Sequence, residues 1–163
     1  MKTTLLFLLI SVIGFSQTNF KTKNQQLYWQ KVYDYNDITI LDAHLKSNSF
    51  TSNLDITNNI NSVISNPGKL KEEKLPTYAH RNFFAYIKID LRENKYRVTI
   101  SEITFTGIGI EWVEGVSEDS NTLLDVHALE KNEIKKDKAT TITLNNLDKF
   151  FNKTFILTDR SVW

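Results

Sequence analysis

Residues 83–100, FFAYIKIDLRENKYRVTI, decide the fold. Phe83, Ala85, Ile87, Ile89 and Leu91 alternate with Tyr86, Lys88, Asp90 and Arg92. Successive side chains of a strand point to opposite faces, so the odd positions form an apolar face and the even ones a polar face. Arg92-Glu93-Asn94-Lys95 has hairpin length, and Asn94 tolerates a left-handed backbone best. Tyr96, Val98 and Ile100 continue on even positions, but apolar character then moves to odd positions at Ile103 and Phe105. A strand keeps both sets on one face only by carrying an extra residue. A β-bulge is therefore predicted at or near Ser101-Glu102.

Upstream, Leu27, Trp29, Tyr33 and Tyr35 alternate in an aromatic-rich run that predicts a first strand over 27–35. Asn36 or Asp37 can cap a helix carrying Ile38, Leu41 and Leu45 on one stripe and ending near Ser47-Asn48. Residues 50–56 and 61–65 read as short strands around an Asn58-Asn59 turn, and Asn66-Pro67-Gly68 ends the second. Residues 70–80 read as an exposed connection, in which Pro76 argues against a central strand. Downstream, residues 120–133 suggest a helix through Leu123, Leu124, Val126 and Leu129. Leu144, Leu147, Phe150, Phe151 and Phe155 predict a second helix capped by Thr143 or Asn145 and packed on the sheet. The expected architecture is α+β: a curved antiparallel sheet, β-α-β-β-β-β plus a C-terminal helix, with helices on one face.

The chain opens with Lys2, an apolar run from Leu5 to Ile13 broken only by Ser11, and small residues Gly14 and Ser16. That layout reads as a secretory signal over 1–16, and the run is shorter than the roughly 20 residues of a membrane span. Residues 17–26 are polar and read as a disordered leader; residues 27–163 read as one domain. The expected location is outside the cytoplasm, periplasmic or secreted, with no membrane insertion after cleavage. There is no cysteine, so an apolar core must stabilise the domain without disulfides. Beyond residue 16, basic and acidic side chains number nineteen each. That balance predicts no nucleic-acid partner, because phosphate binding usually needs a basic surplus. The mixed-sign runs 69–74 and 131–138 read as solvated surface.

The strand Leu27-Tyr28-Trp29-Gln30-Lys31-Val32-Tyr33, the helix after it, and the hairpin strand Lys95-Tyr96-Arg97-Val98-Thr99-Ile100 resemble a domain of unknown function. Its fold is like that of the TATA-box-binding protein, and it occurs behind signal peptides in exported proteins of some Gram-negative bacteria. The resemblance covers residues 27–107. It implies the one-sided sheet but brings no catalytic residues.

Catalytic chemistry finds little support. No Gly-x-Ser-x-Gly elbow occurs, and His44, His80 and His127 are scattered along the chain. Asp34, Asp37 and Asp42 lack calcium-loop spacing, and Gly107-Ile108-Gly109-Ile110-Glu111-Trp112 lacks the third glycine and the lysine of a phosphate loop. No catalytic residue, metal or cofactor is expected. The candidate binding surface is the polar sheet face of Tyr86, Lys88, Asp90, Arg97 and Thr99. Tyr28, Trp29, Tyr33 and Tyr35 form an aromatic group in which Trp29 and Tyr33 are expected to serve the core. The leading expectation is a non-enzymatic binding or structural module for an envelope protein or glycan. The alternative is an envelope hydrolase pairing Asp90 or Glu102 with His80.

Overall fold

The computed structural model describes residues 18–107 and 121–157. The export signal read over 1–16, most of the glycine-containing stretch 107–112 and the last six residues lie outside these. In chain order the elements are β1 (Phe20–Lys23), β2 (Gln26–Asp34), α1 (Ile38–Ser47), β3 (Ser62–Ile64), β4 (Gly68–Lys69), β5 (Asn82–Arg92), β6 (Lys95–Phe105), β7 (Thr122–Leu123), α2 (Leu124–Ala128), β8 (Leu129–Glu130), β9 (Glu133–Ile134) and α3 (Lys138–Phe155). Two 3-10 turns, Ile56–Asn58 and Thr77–His80, interrupt the connections. Seven strands make one antiparallel sheet in the order β1-β2-β6-β5-β3, with β4 also on β5 and β7 on β6. The chain is α+β, as its pattern predicts.

The central hairpin forms as its periodicity requires. Phe83, Ala85, Ile87, Ile89, Tyr96, Val98 and Ile100 are buried, and Asn94 turns the chain with φ 53°. Phe84 pairs with Thr104 but Tyr86 pairs with Ser101, so β6 carries one extra residue where the bulge was expected. Glu102 takes a left-handed φ of 53° there, which returns Ile103 and Phe105 to the core. A left-handed backbone costs an L-residue roughly 1 kcal/mol that glycine escapes. Glu102→Gly is therefore expected to stabilise the domain by about 0.5 kcal/mol or more in urea titrations. A loss of stability would show that the Glu102 side chain has a compensating role.

One core lies between the sheet and the helices. Phe151 of α3 meets Trp29 edge-on at 5.4 Å, and Phe150 meets Phe83 at 5.3 Å. Leu41 and Leu45 of α1 are fully buried, whereas Ile38 stays exposed at the first turn. Gly68 packs so closely that a Cβ there would lie 2.6 Å from the Phe83 ring. Among the described residues, no buried side-chain nitrogen or oxygen lacks a partner.

Four expectations need correction. The leader 17–26 contains β1, which joins β2 through Asn24 and Gln25, both at positive φ. A two-residue turn of this hand matches strand twist, and Phe20 is the single apolar residue that β1 buries. Residues 50–56 form no strand: turns from Asn48 to Thr51 and Thr51 to Leu54 bury Phe50, Leu54 and Ile56 instead. The 70–80 connection is not simply exposed, since Leu70, Leu75 and Ala79 enter the core. Among the described residues of 120–133, the helix is limited to the five-residue α2, between the short strands β7 and β8. Leu123 and Val126 face solvent, and Lys131-Asn132, both at positive φ, turn the chain into the β8–β9 hairpin.

The C-terminal helix also begins earlier than its apolar run. Asp137 caps it, accepting the Thr140 amide at 2.8 Å and the Thr140 hydroxyl at 2.8 Å. Its first turns bury Thr140 and Thr143 rather than aliphatic residues. Thr143 satisfies its hydroxyl on the Ala139 carbonyl at 2.9 Å, so a polar residue fills a core position.

Candidate functional site

The helices cover one face of the sheet, and the opposite face carries the five residues singled out by alternation. Register sets them side by side. One row crosses the sheet as Lys21, Tyr28, Ser101, Tyr86 and Ile64; the next runs Gln30, Thr99, Lys88 and Ser62; a third runs Val32, Arg97 and Asp90. Tyr86, Lys88 and Arg97 are exposed, while Asp90 and Thr99 are half-buried between neighbours.

The centre of this face is charge-compensated. Asp90 accepts from Arg97 Nη2 at 2.9 Å and Nε at 3.2 Å, and Lys88 Nζ lies 3.3 Å away. The Arg97 guanidinium first, then Lys88, holds the Asp90 carboxyl below the usual carboxylate range. At the turn end, Lys95 pairs with Asp34 at 2.5 Å. Such exposed pairs contribute at most about 1 kcal/mol each, so they orient side chains more than they stabilise the fold. Gln30 Nε2 donates to Thr99 Oγ1 at 3.1 Å, fixing the amide across the strands.

Apolar side chains flank this polar centre. Ile64 is 67% exposed and Val32 52% exposed, and Tyr86 presents its ring at 37%. Phe84 and Leu123 lie on the same face on either side of Thr104. Sequence alternation alone did not select Tyr28, Gln30, Val32 or Ile64 for this face. The signal was present in the parity of 28, 30 and 32 against the buried 27, 29 and 33, but only the β2–β6 register makes them neighbours of Thr99 and Arg97.

Of the aromatic group, Trp29 and Tyr33 lie in the core and Tyr35 packs edge-on against Tyr96 at 6.1 Å. Tyr28 alone of the four shares the open face with Tyr86. The acid and base of the alternative hydrolase are not assembled. Asp90 is engaged by Arg97 and Lys88 near one end of β5, whereas His80 precedes the other end, roughly 25 Å away by strand rise. Glu102 sits at the bulge and does not line the cleft that His80 borders.

A separate polar group escaped sequence reasoning. His127 stacks on Tyr78 at 3.9 Å, its Nε2 lies 3.0 Å from Thr122 Oγ1, and Tyr78 Oη lies 3.2 Å from Thr143 Oγ1. Desolvation first, and Lys135 second, lower the His127 pKa. Burial thus favours the neutral ring, which stacks on a tyrosine that packs on Phe105 at 5.5 Å at the end of the core. His44, by contrast, ties α1 to α3 through the Thr154 carbonyl at 2.9 Å. Among the described residues, no three His, Cys, Asp or Glu side chains converge as a metal site. No helix among them is long and apolar enough to cross a membrane.

No protein-family model matches the chain, and no curated protein matches it. Among solved structures, the chain is similar to the crystal structure of a TBP-like protein from Parabacteroides distasonis. The TM-score is 0.48 and the identity 12%, with 83% of this chain and 91% of that chain covered. A likeness at this identity concerns the fold alone, and neither activity nor partner passes from it to this chain.

Proposed function

We propose that this chain is an exported, non-enzymatic binding module of the cell envelope, and that it engages a protein or glycan through the open face of its sheet. The observation that carries this reading is the composition of that face. Tyr28, Phe84, Tyr86, Ile64 and Val32 surround a hydrogen-bonded polar centre, while the helices occupy the other side. Exposed aromatic and aliphatic groups around a charge-compensated centre suit a partner that covers them, because the apolar contacts supply affinity and the polar ones fix orientation. The N-terminal pattern of Lys2, the apolar run and the Gly14-x-Ser16 site supports export.

The immobilised chain is expected to retain a specific component of the native envelope, and Tyr86→Ala/Lys88→Ala to weaken that retention roughly tenfold. Circular dichroism and melting should show that the double variant is folded. Equal retention by a folded double variant would overturn the open face as the binding surface. Intact mass of protein from the native host is expected to begin at Gln17; Met1 retained on cytoplasmic protein would overturn export.

A further inference from the structure

We infer that the β4 end of this open face holds a subsite for one acidic group of an envelope polysaccharide, bound in a cleft of about 440 Å³ lined by Lys69, Thr77, His80, Arg81, Asn82 and Thr106. The inference rests on the binding-module reading above and specifies its ligand.

The position of the cleft follows from register. Lys69 pairs with Asn82, and Asn82 shares its strand face with Phe84 and Tyr86. Gly68 and Phe83, one residue along, point into the core, so Lys69 and Asn82 point to the open side. Thr106 joins them: its amide and hydroxyl both donate to the Asn82 carbonyl, at 2.9 and 3.2 Å. The 3-10 turn Thr77–His80, continued by Arg81, forms the remaining wall. The cleft is therefore the end of the candidate binding face and not a separate feature.

Its chemistry differs from the centre of that face. Lys88, Arg97 and Lys95 each have a carboxylate partner. Among the described residues, Lys69 and Arg81 form no ion pair and lie together at one cleft, unlike Lys21 and Arg92, which are also without an ion pair but do not line it. Among the described residues, no carboxylate lines the cleft. Two cations and an imidazole around a small cleft favour one compact anion. The compensated centre beyond it does not favour a long polyanion, which would need an unbroken basic track. Thr77 and the Asn82 amide add neutral hydrogen-bonding groups suited to hydroxyls. Phe84 follows Asn82 on the same face at about 7 Å, and Tyr86 follows at twice that spacing. Flat rings at these intervals can support the C–H faces of sugars whose acidic group occupies the cleft. An acidic sugar satisfies the cations, the amide and the rings together.

Affinity electrophoresis of the full chain tests this with polygalacturonate (carboxylate), dextran sulfate (sulfate ester) and neutral dextran; inorganic sulfate and poly-glutamate serve as competitors. At least one acidic polysaccharide is expected to retard the chain where neutral dextran does not. Lys69→Glu/Arg81→Glu is expected to weaken that binding roughly tenfold or more. Lys149→Glu/Lys153→Glu, an equal charge reversal on exposed α3 positions, is expected to leave it within about twofold. Retardation by neither acidic glycan, equal loss with both double variants, or displacement by inorganic sulfate alone as readily as by the polysaccharide would overturn the subsite. Tighter binding of poly-glutamate would assign the cleft to an acidic protein instead, and also overturn it. If the cleft variant binds as wild type while Tyr86→Ala/Lys88→Ala still loses the envelope component, only this subsite fails. If that component is indifferent to the open-face substitutions, the binding-module reading itself fails.

Discussion

Trp29→Ala is expected to destabilise the domain by about 3–5 kcal/mol, the range for deleting a fully buried large aromatic side chain. For a domain of this size the melting temperature should fall by roughly 10 °C or more. Trp29 has no exposed surface and contacts Phe151 at 5.4 Å and Phe155 at 6.3 Å. Across the strands it faces Phe20 on β1 and Ile100 on β6. The indole therefore joins both neighbouring strands to α3, and the cavity left by alanine borders four large side chains that cannot all collapse into it. Equilibrium urea unfolding followed by far-ultraviolet circular dichroism measures the loss. A change under about 1.5 kcal/mol would mean that the interface between β2 and α3 repacks freely.

The second large effect is expected at Asp148, which sequence reading gave no role. Its Oδ1 accepts the Asn19 amide at 3.0 Å, the Asn19 side chain at 2.8 Å and the Trp29 indole N–H at 2.7 Å. Its Oδ2 accepts Asn152 Nδ2 at 2.9 Å. Asn152 passes the network on, since its Oδ1 accepts from Lys31 Nζ at 2.5 Å and from the Tyr33 hydroxyl at 3.2 Å. Asp148→Ala leaves several donors without a partner at a partly buried interface, which should cost about 1–3 kcal/mol. The loss should combine less than additively with Trp29→Phe, because the two substitutions remove the same hydrogen bond.

Two further readouts separate this role from general destabilisation. Amides of Phe20–Lys23 should lose hydrogen-exchange protection before the β5–β6 hairpin does, because Asn19 anchors the start of β1. Tyr33 should also titrate lower in the variant. Burial first, and the negative charge of Asp148 second, raise its hydroxyl far above the ordinary tyrosine value. Unchanged β1 protection and an unchanged Tyr33 titration would together rule out Asp148 as the latch.

The candidate surface was partly legible because strand alternation assigns faces without reference to partners. Tyr86, Lys88, Asp90, Arg97 and Thr99 were selected by parity alone and lie together on the open side. Their apolar neighbours were not, because Ile64 and Val32 belong to strands whose register the local pattern leaves undefined. Lys69 reads as part of the solvated run 69–74, Arg81 and Asn82 fall between the 70–80 connection and the strand from Phe83, and nothing local predicts that a two-residue strand brings Lys69 beside Asn82. The early start of α3 was missed for a different reason. Thr140 and Thr143 reach the core by bonding their hydroxyls locally, so they carry no hydrophobic signal.

What the sequence determined by itself was local periodicity: the β5–β6 hairpin, its bulge, α1 with a cap at Asn36 or Asp37, and the apolar face of α3. These follow from steric and hydrophobic preferences that act over a few residues. Only the tertiary structure decided that a polar leader pairs as β1, that Asp148 gathers four donors from three residues, and that a basic cleft closes the end of the open face. The Asp148 network and the cleft join residues distant along the chain, and β1, though its hairpin with β2 is local, is tied to α3 through Asn19 and Asp148. Burial and hydrogen-bond satisfaction are shared between elements there, and no single segment carries that information.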